Sequence, residues 1–445
     1  MSSEPLAVLI AGRHAAVIDR HRRRLRLTYD SNYAADPAAV PLSLSLPLSE
    51  PVSAGERVSG WLDGVLPGND MVRSRWAAKH GALSDSPFDL LSTPLGLDLP
   101  GAVQTCPLST VDGITSRSSG IDWLTTPQFE ELVDQLVSEQ RWQRSHARSA
   151  WSLAGAQSKT ALVRDGDRWG EPWGNIASTH ILKPSMRDLA DQAVNEHLCL
   201  AAARHCGLTV ADSQPLTVAG HTVIAVRRFD RIAAADGTVT RVHQEDLHQA
   251  CGEPGVFIYR THDRGHPLSR LARLFADNST DPDQDLRRFF DALVFNWLVC
   301  NSDGHSKNFS ILLGPHEHRL APFYDIWSLL PYEGDLSRSH TLAMPALDDR
   351  RILAAETPHA WATTASTIGL PNFDAQQRAA QLAAAVGPAF TRAADELPDD
   401  IRASPIVQAL TDAMTQRSQH CVTALSPSRS QPAADHHRHR QGPSL

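Results

Sequence analysis

The sequence predicts an α+β protein of two lobes, a β-containing N-terminal lobe followed by a mostly helical C-terminal lobe. Three observations carry that expectation. Strand-like alternation fills much of the first half. Helical apolar spacing prevails from Gln244 onward. At 445 residues the chain is too long for one small core, so two or three domains are expected.

Element by element, Ala7 to Ile10 is apolar, and "RLRLTYD" alternates Leu25, Leu27 and Tyr29 against Arg24, Arg26 and Thr28, a half-buried strand pattern. "PLSLSLPLS" alternates just as strictly through Leu42, Leu44, Leu46 and Leu48. "GWLDGVLPGNDMVRSRWAAKH" reads as a short helix, a Pro-Gly break and a second helix. The stretch Ser109 to Gly120 has the small polar residues of a linker, which bounds a first, β-rich domain at 1–110. A second unit is expected at 120–225. It holds a helix through Phe129 to Leu136, a glycine-containing hairpin in "SLAGAQSKTALVRDGDRWG" and a short strand "HILKPS" ended by Pro184. An amphipathic helix in "DLADQAVNEHLCLAAARHCGL", closed by Gly207, and a strand in "HTVIAVRRFDR" complete it. The helical lobe is expected at 226–425. The tail, 426–445, is Pro-, Ser-, His- and Arg-rich with nothing to build a core, and reads as disordered.

Composition narrows the function. A hydrophobic fraction of 42% with 21% charged residues is that of a soluble globular protein. A formal charge of −8 argues against coating nucleic acid by bulk electrostatics. The six cysteines are scattered without a C-x-x-C, which favours buried reduced thiols over a zinc or disulfide framework. No apolar run approaches membrane-spanning length and the N-terminus lacks a signal pattern, so a cytoplasmic location is expected.

The chemistry concentrates in "FNWLVCNSDGHSKNFSILL", where a polar knot lies between an apolar helical run and a strand-like run. Asp303 and Asn308 stand in the spacing D-x-x-x-x-N of a protein-kinase catalytic loop. In that arrangement a carboxylate faces the attacking hydroxyl, and an amide oxygen five residues on turns back toward Mg²⁺. Read alone, the pair also fits an Asx-rich turn. Asp325, in "LAPFYDIWSLL" after an apolar hairpin, falls where the second metal-binding acid of a kinase belongs, and with it the catalytic reading leads. Lys183 ends an apolar strand as a phosphate-binding lysine does, and Glu196 downstream is its candidate partner; a surface lysine and a solvated glutamate are the plain alternatives. Gly155 lets backbone amides approach phosphate, but Lys159-Thr160 does not complete a Walker loop, because Ser158 occupies the last glycine position.

Together the stretches "SLAGAQSKTAL", "THILKPS", "NEHLCLAAARHCGL", "VRRFDR", "HQEDLHQACG", "CNSDGHSKNFSIL" and "PFYDIWSLLP", in that order, resemble the HipA kinases, toxins of type II toxin–antitoxin modules. "PLSLSLPLS" and "GNDMVRSRWAAKHG" resemble that family's N-terminal subdomain, so the likeness covers all but the tail. The resemblance implies a bilobal protein-kinase-like fold that binds ATP and Mg²⁺ between its lobes. It implies Asp303 as catalytic acid, Asn308 and Asp325 as metal ligands, and Lys183 on the α- and β-phosphates. Ala154, Gly155, Ala156, Gln157, Ser158 and Lys159 would cover the triphosphate. Arg227, Arg228 and Phe229 would line the adenine; His305, Ser306 and Lys307 would sit beside the phosphates, and Tyr324 next to the metal. Ser152 would be the autophosphorylated serine. The implied substrate is an aminoacyl-tRNA synthetase such as glutamate–tRNA ligase, and the implied partner a helix-turn-helix, HipB-like antitoxin that brings DNA only through their complex. Two positions depart from the pattern: Ser158 and Arg227 stand where some members carry an acid, and neither removes a metal ligand or the catalytic acid.

Other candidates are weaker. "RHRRR" at Arg20 to Arg24 fits a solvated strand face better than a nucleic-acid or acidic-partner contact. His316 and His318 read as turn residues rather than zinc ligands, and Cys300 as a packed thiol. A DNA-bound scaffold that keeps the kinase shape without its catalysis, and a small-molecule or lipid kinase, are the rival functions.

Overall fold

The alternation of the first third folds into a five-stranded antiparallel sheet. Its strands are β1 (Leu6–Ile10), β2 (Arg13–His21), β3 (Arg24–Tyr29), β4 (Val52–Ala54) and β5 (Val103–Pro107), in the order β4-β3-β2-β1-β5. This is a computed structural model, and it describes residues 4–22, 24–114, 118–138, 149–155, 157–235, 237–252, 268–332, 344 and 358–426. The helices α1 (Ser31–Ala35), α2 (Glu56–Gly64), α3 (Asp70–His80) and α4 (Pro87–Leu91) cover the sheet and close a core around Trp61, Trp76 and Phe88. The Pro-Gly break separates α2 from α3 as expected. α3 starts where Asn69 accepts from the Met71 amide and ends at Gly81, whose φ of +67° is the left-handed cap a glycine supplies without strain.

The strict alternation of "PLSLSLPLS" is not a strand. Pro41 and Pro47 lack amide donors, and the segment runs as turns with a single isolated bridge between Ser43 and Leu46. The Tyr29 hydroxyl takes the place of a ladder, accepting from the Leu42 amide at 2.8 Å and donating to the Leu46 carbonyl at 2.6 Å. Leu42 and Leu46 fill the N-terminal core, while the Leu44 amide reaches Glu245 of the other lobe at 2.7 Å. The period of two here records a segment shared between two domains.

The second sheet has six antiparallel strands: β6 (Gly120–Trp123), β7 (Thr160–Asp165), β8 (Arg168–Trp173), β9 (His180–Pro184), β10 (Ser213–Val218) and β11 (His221–Arg227). Their order is β10-β11-β9-β7-β8-β6. Helix α5 (Thr126–Ser138) packs Leu132, Val133 and Leu136 onto Leu162, Trp169 and Leu182 of this sheet. Helix α6 (Gln192–His205) ends before Gly207 as expected. Eleven of its fourteen residues are buried, so it is a central helix and not an amphipathic surface one.

A short hairpin, β12 (Arg231–Ala233) with β13 (Val239–Arg241), leads to a three-stranded sheet of β14 (Gln244–Asp246), β15 (Ser310–Leu313) and β16 (His318–Leu320). Around it lie α7 (Leu247–Ala250), α8 (Leu268–Asn278), α9 (Pro282–Leu298), α10 (Pro358–Thr367), α11 (Ala375–Asp395), α12 (Asp399–Arg402) and α13 (Pro405–Leu425). One large apolar core, with Phe289, Phe290, Trp297, Trp361 and Phe390 at its centre, joins α6 to this lobe. Among the described residues no helix is long and apolar enough to cross a membrane. The six cysteines are free thiols. Residues 427–445 of the tail lie outside the described residues.

A buried ionic cluster ties the N-terminal domain to the rest. Arg228 pairs with Asp230 at 2.9 Å, Arg231 with Asp98 at 3.0 Å, and Asp230 also accepts the Gly101 amide at 2.7 Å. Burial opposes ionisation of Asp230, but the two guanidinium groups outweigh it and hold that carboxyl at about 2.

Candidate active site

Helix α9 delivers the polar knot. Its N-terminus is fixed by Asp281, which accepts from the Gln284 amide, and by Pro282 at the first helical position. At the other end Cys300 adopts a left-handed φ of +55° and turns the chain out of the helix. Asn301 then braces the turn: its Nδ2 donates to Asn296 Oδ1 at 3.0 Å and its Oδ1 accepts from the Asp303 amide at 3.1 Å. Gly304 is required here, since a Cβ would lie 2.8 Å from Asn296 Nδ2. Five residues after Asp303, Asn308 Nδ2 donates back to the Asp303 carbonyl at 2.8 Å. That bond is the physical content of the D-x-x-x-x-N spacing. It closes the loop and leaves Asn308 Oδ1 as the oxygen available to a cation.

The hairpin β15–β16 returns the chain past the knot. The Phe323 amide donates to the Thr209 carbonyl at 3.0 Å, and the Tyr324 hydroxyl donates to the Lys307 carbonyl at 2.7 Å. Asp325 follows with a φ of +59°, a conformation that a non-glycine residue holds only under constraint. Its constraint is visible. Lys183, on β9, donates through Nζ to Asp325 Oδ1 at 2.8 Å and to Glu196 Oε1 on α6 at 2.9 Å. Lys183 and Glu196 are buried, so neither plain alternative of a solvated side chain describes them. Burial disfavours the Lys183 charge, but Asp325 and Glu196 more than offset it, and its pKa is raised. Burial raises the Asp325 carboxyl, and Lys183 brings it below its ordinary range.

Asp303 faces the same charges from the other side. Its side chain is 50% exposed, with His305 Nε2 at 3.7 Å. Desolvation and the negative charge of Asp325 push its carboxyl up to about 7, with Lys183 opposing. A carboxyl poised there exchanges a proton at neutral pH.

The glycine loop is held by side chains, not by a ladder. Gly155 has a φ of +104°, and a Cβ on it would lie 2.8 Å from Lys159 Nζ. Lys159 sits inside the loop, donating to the Ala154 and Gln157 carbonyls at 3.1 and 2.9 Å. Burial, followed by repulsion from Lys183, pulls its ammonium down to about 7. Gln157 donates to the Pro184 carbonyl and to Gln192 Oε1, both at 2.9 Å. Ser152 is fully buried; its hydroxyl donates to the Val65 carbonyl at 2.7 Å and its amide to the Asp98 carbonyl at 3.0 Å. Ala156 lies outside the described residues, and Ser158 is half-buried.

The rest of the expected set divides. Phe229 packs on Tyr324 with ring centroids 5.6 Å apart, and Tyr324 also meets Ser310 Oγ at 2.7 Å. Ser306 is buried, while His305 and Lys307 are half-buried in the same loop. Arg227 is exposed at the end of β11. The Arg228 guanidinium is engaged in the interdomain cluster, bound to Asp230, Ser178 Oγ and the Leu99 carbonyl. His318 Nδ1 lies 3.2 Å from the Asn278 carbonyl, and among the described residues no three His, Cys, Asp or Glu side chains form a metal site. The available donors at the cleft are the oxygens of Asn308 and Asp325. Such a sparse, all-oxygen set fits Mg²⁺ carried in with phosphate, an ion that retains waters and takes few protein ligands.

Sequence reading passed over Gln192 and Asn195. Both are fully buried on α6 beside Glu196, and the spacing of i, i+3 and i+4, which puts three polar side chains on one face of the helix, was the available signal.

With this geometry in place, comparison with known proteins is decisive for the family. The model of the HipA-like C-terminal domain matches residues 151–390, and that of the HipA N-terminal domain matches residues 6–106. The chain belongs to the HipA family. A Sinorhizobium fredii relative named as a kinase, Y4mE, is 33% identical over 268 residues, 60% of this chain and 63% of that protein. The serine/threonine-protein kinase toxin HipA of Shewanella oneidensis is 26% identical over 315 residues, 66% of this chain and 67% of the toxin. The chain thus spans about two thirds of the length of these relatives. Among solved structures, HipA of Shewanella oneidensis MR-1 in its complex with HipB and operator DNA superposes with a TM-score of 0.79 at 21% identity. The match covers 94% of this chain and 98% of that one, and it shows that the α+β architecture is the HipA fold.

Proposed function

We propose that this HipA-family protein is an ATP-dependent serine/threonine protein kinase and the toxin of a toxin–antitoxin module. The observation that carries the reading is the buried ammonium of Lys183 bridging Glu196 and Asp325 at 2.9 and 2.8 Å, opposite the Asp303–Asn308 loop. A lysine fixed by a helix glutamate and a metal-binding aspartate is the charge arrangement that receives a triphosphate in kinases. In the proposed reaction Lys183 takes the α- and β-phosphates, and Asn308 with Asp325 would hold Mg²⁺, which would supply neutralisation of phosphate charge. The glycine loop of residues 154–159 would cover them, Phe229 would line the adenine, and Tyr324, packed on Phe229, would lie next to the metal. Asp303 orients the substrate hydroxyl and accepts its proton as the oxygen bonds to the γ-phosphorus and the bond to ADP breaks. Positioning and electrostatics supply most of the rate enhancement in such chemistry.

Likeness to a serine/threonine-protein kinase toxin supports a protein substrate; the proposed one is an aminoacyl-tRNA synthetase such as glutamate–tRNA ligase, with growth arrest as the outcome. A HipB-like helix-turn-helix antitoxin is the proposed partner, DNA is met only through that complex, and the setting is the cytoplasm. Ser152 is the proposed autophosphorylation site. The test is labelling with [γ-³²P]ATP and growth on overexpression, comparing the wild type with Asp303→Asn, followed by phosphopeptide mass spectrometry of both cell populations. Loss of labelling and of arrest in the variant is expected. Survival of both refutes the catalytic reading and leaves the scaffold; turnover with metabolite extracts alone points to a small-molecule kinase.

A further inference from the structure

Helix α6 does more for the cleft than supply Glu196. The residue before it, Asn195, is fully buried and spends both ends of its amide on one residue of the returning chain. Its Nδ2 donates to the Ser328 carbonyl at 2.7 Å and its Oδ1 accepts the Ser328 amide at 2.9 Å. Ser328 is itself fully buried, so a lost bond there is not replaced by water without rearrangement. The pairing reproduces one rung of a β-ladder with a side chain in place of a strand.

Asp325 lies three residues upstream in its left-handed conformation, and the segment around it is anchored on both sides. Upstream, Phe323 donates to the Thr209 carbonyl at 3.0 Å and accepts the Ala211 amide at 2.8 Å. Downstream, the main anchor is Asn195, with a longer contact of 3.4 Å from the Leu329 amide to the Cys300 carbonyl. An unfavourable backbone conformation persists only when its surroundings over-determine it.

We propose that Asn195 is a positioning residue for Asp325, clamping the main chain at Ser328 so that the Asp325 carboxylate is presented in one place. One helical turn then fixes both partners of Lys183: Glu196 by its own side chain, and Asp325 through the clamp. This rests on the kinase reading of the cleft, because it assigns Asp325 to the nucleotide-bound cation.

The test compares wild type, Asn195→Ala and Asn195→Asp, with Leu198→Ala as control. Leu198 is fully buried on the same helix, and its apolar side chain can neither donate to nor accept from Ser328. Two measurements are made on unphosphorylated protein: ADP binding titrated against Mg²⁺ and in EDTA, and hydrogen exchange of peptides spanning residues 323–330 without ligand. For Asn195→Ala, the half-saturating Mg²⁺ concentration is expected to rise about tenfold, binding in EDTA to change less than twofold, and exchange at Ser328 to accelerate. Asn195→Asp keeps the acceptor but loses the donor, and a smaller change in the same direction is expected; it stands in if the alanine variant does not fold. The control is expected to lose stability with no Mg²⁺ shift. An unchanged Mg²⁺ requirement in both Asn195 variants, or a shift matched by the control, overturns the proposal. If the wild type itself shows no Mg²⁺-dependent nucleotide binding, the kinase reading fails, and the positioning role fails with it even where exchange at Ser328 quickens.

Discussion

Replacing Asp303 with Asn is expected to stabilise the protein while silencing it, and the gain in stability is expected to depend on pH. Burial and Asp325 raise the Asp303 carboxyl from 3.8 to about 7 in the folded protein. Because the folded value is the higher one, the native state retains a proton between about pH 4 and pH 7 that the unfolded chain has released. Stability therefore falls as pH rises through that window and levels off above it. The full shift of about three units corresponds to about 4 kcal/mol. Half of the side chain faces solvent, however, which screens the interaction and reduces the figure to about 1–2 kcal/mol. An isosteric, uncharged asparagine removes this penalty, and no close hydrogen bond is lost, since His305 Nε2 stands 3.7 Å away. Urea unfolding at pH 4.5 and pH 8 is the assay. The variant should be nearly equal to wild type at the lower pH and about 1–2 kcal/mol more stable at the higher. A gain that is the same at both values, or a variant weaker than wild type at pH 8, refutes the electrostatic account of Asp303.

The remaining predictions follow from burial and pairing. Lys183→Met strands a buried carboxylate at Glu196 and is expected to cost about 3–5 kcal/mol in urea unfolding. Adding Glu196→Gln should recover part of that loss without restoring nucleotide binding by calorimetry; a double variant as unstable as the single one would show that the pair is not coupled. Trp151→Ala removes a ring that is 1% exposed and lies edge-on to Trp76 at 5.7 Å, for about 3–5 kcal/mol of stability and weaker nucleotide binding through the unmoored loop. Ser152→Glu places a charge against the Val65 carbonyl, so residues 149–155 should exchange hydrogen faster and nucleotide binding should fall; Ser152→Ala, which loses one hydrogen bond worth about 1 kcal/mol, should leave binding intact.

Much of the site was legible because it is local or carried by spacing. Asp303 and Asn308 lie five residues apart, and the bond from the Asn308 amide to the Asp303 carbonyl is the reason for that spacing. Lys183 was marked by the apolar strand before it and Asp325 by the hairpin before it. What escaped was long-range. Arg228 sits between an exposed arginine and an aromatic that faces the cleft, and nothing in "VRRFDR" tells that its partners Ser178 and Leu99 come from other parts of the chain. The alternation of "PLSLSLPLS" is as regular as a strand's, yet its partners are a tyrosine hydroxyl at Tyr29 and a carboxylate at Glu245 about two hundred positions on. Periodicity reports which side chains are buried; it does not report whether the backbone finds a ladder or a side chain.

The glycine loop shows why such long-range partners matter for regulation. Its head, Trp151 to Leu153, belongs to the core of the N-terminal domain; its foot is held by Gln157 against the second sheet and α6, and Lys159 braces the loop from inside. Withdrawing the head exposes Trp151 and Leu153, about 1.5–3 kcal/mol each, and breaks two hydrogen bonds of Ser152 at about 1 kcal/mol apiece. Against this stands the backbone freedom returned to three residues, about 1–2 kcal/mol each. The sums differ by only a few kcal/mol, so the closed loop is favoured without being locked. A phosphate dianion on Ser152 has no place beside the Val65 carbonyl and reverses a balance of that size. In the proposed kinase, the same domain contact that shapes the nucleotide site therefore makes it possible to switch it off.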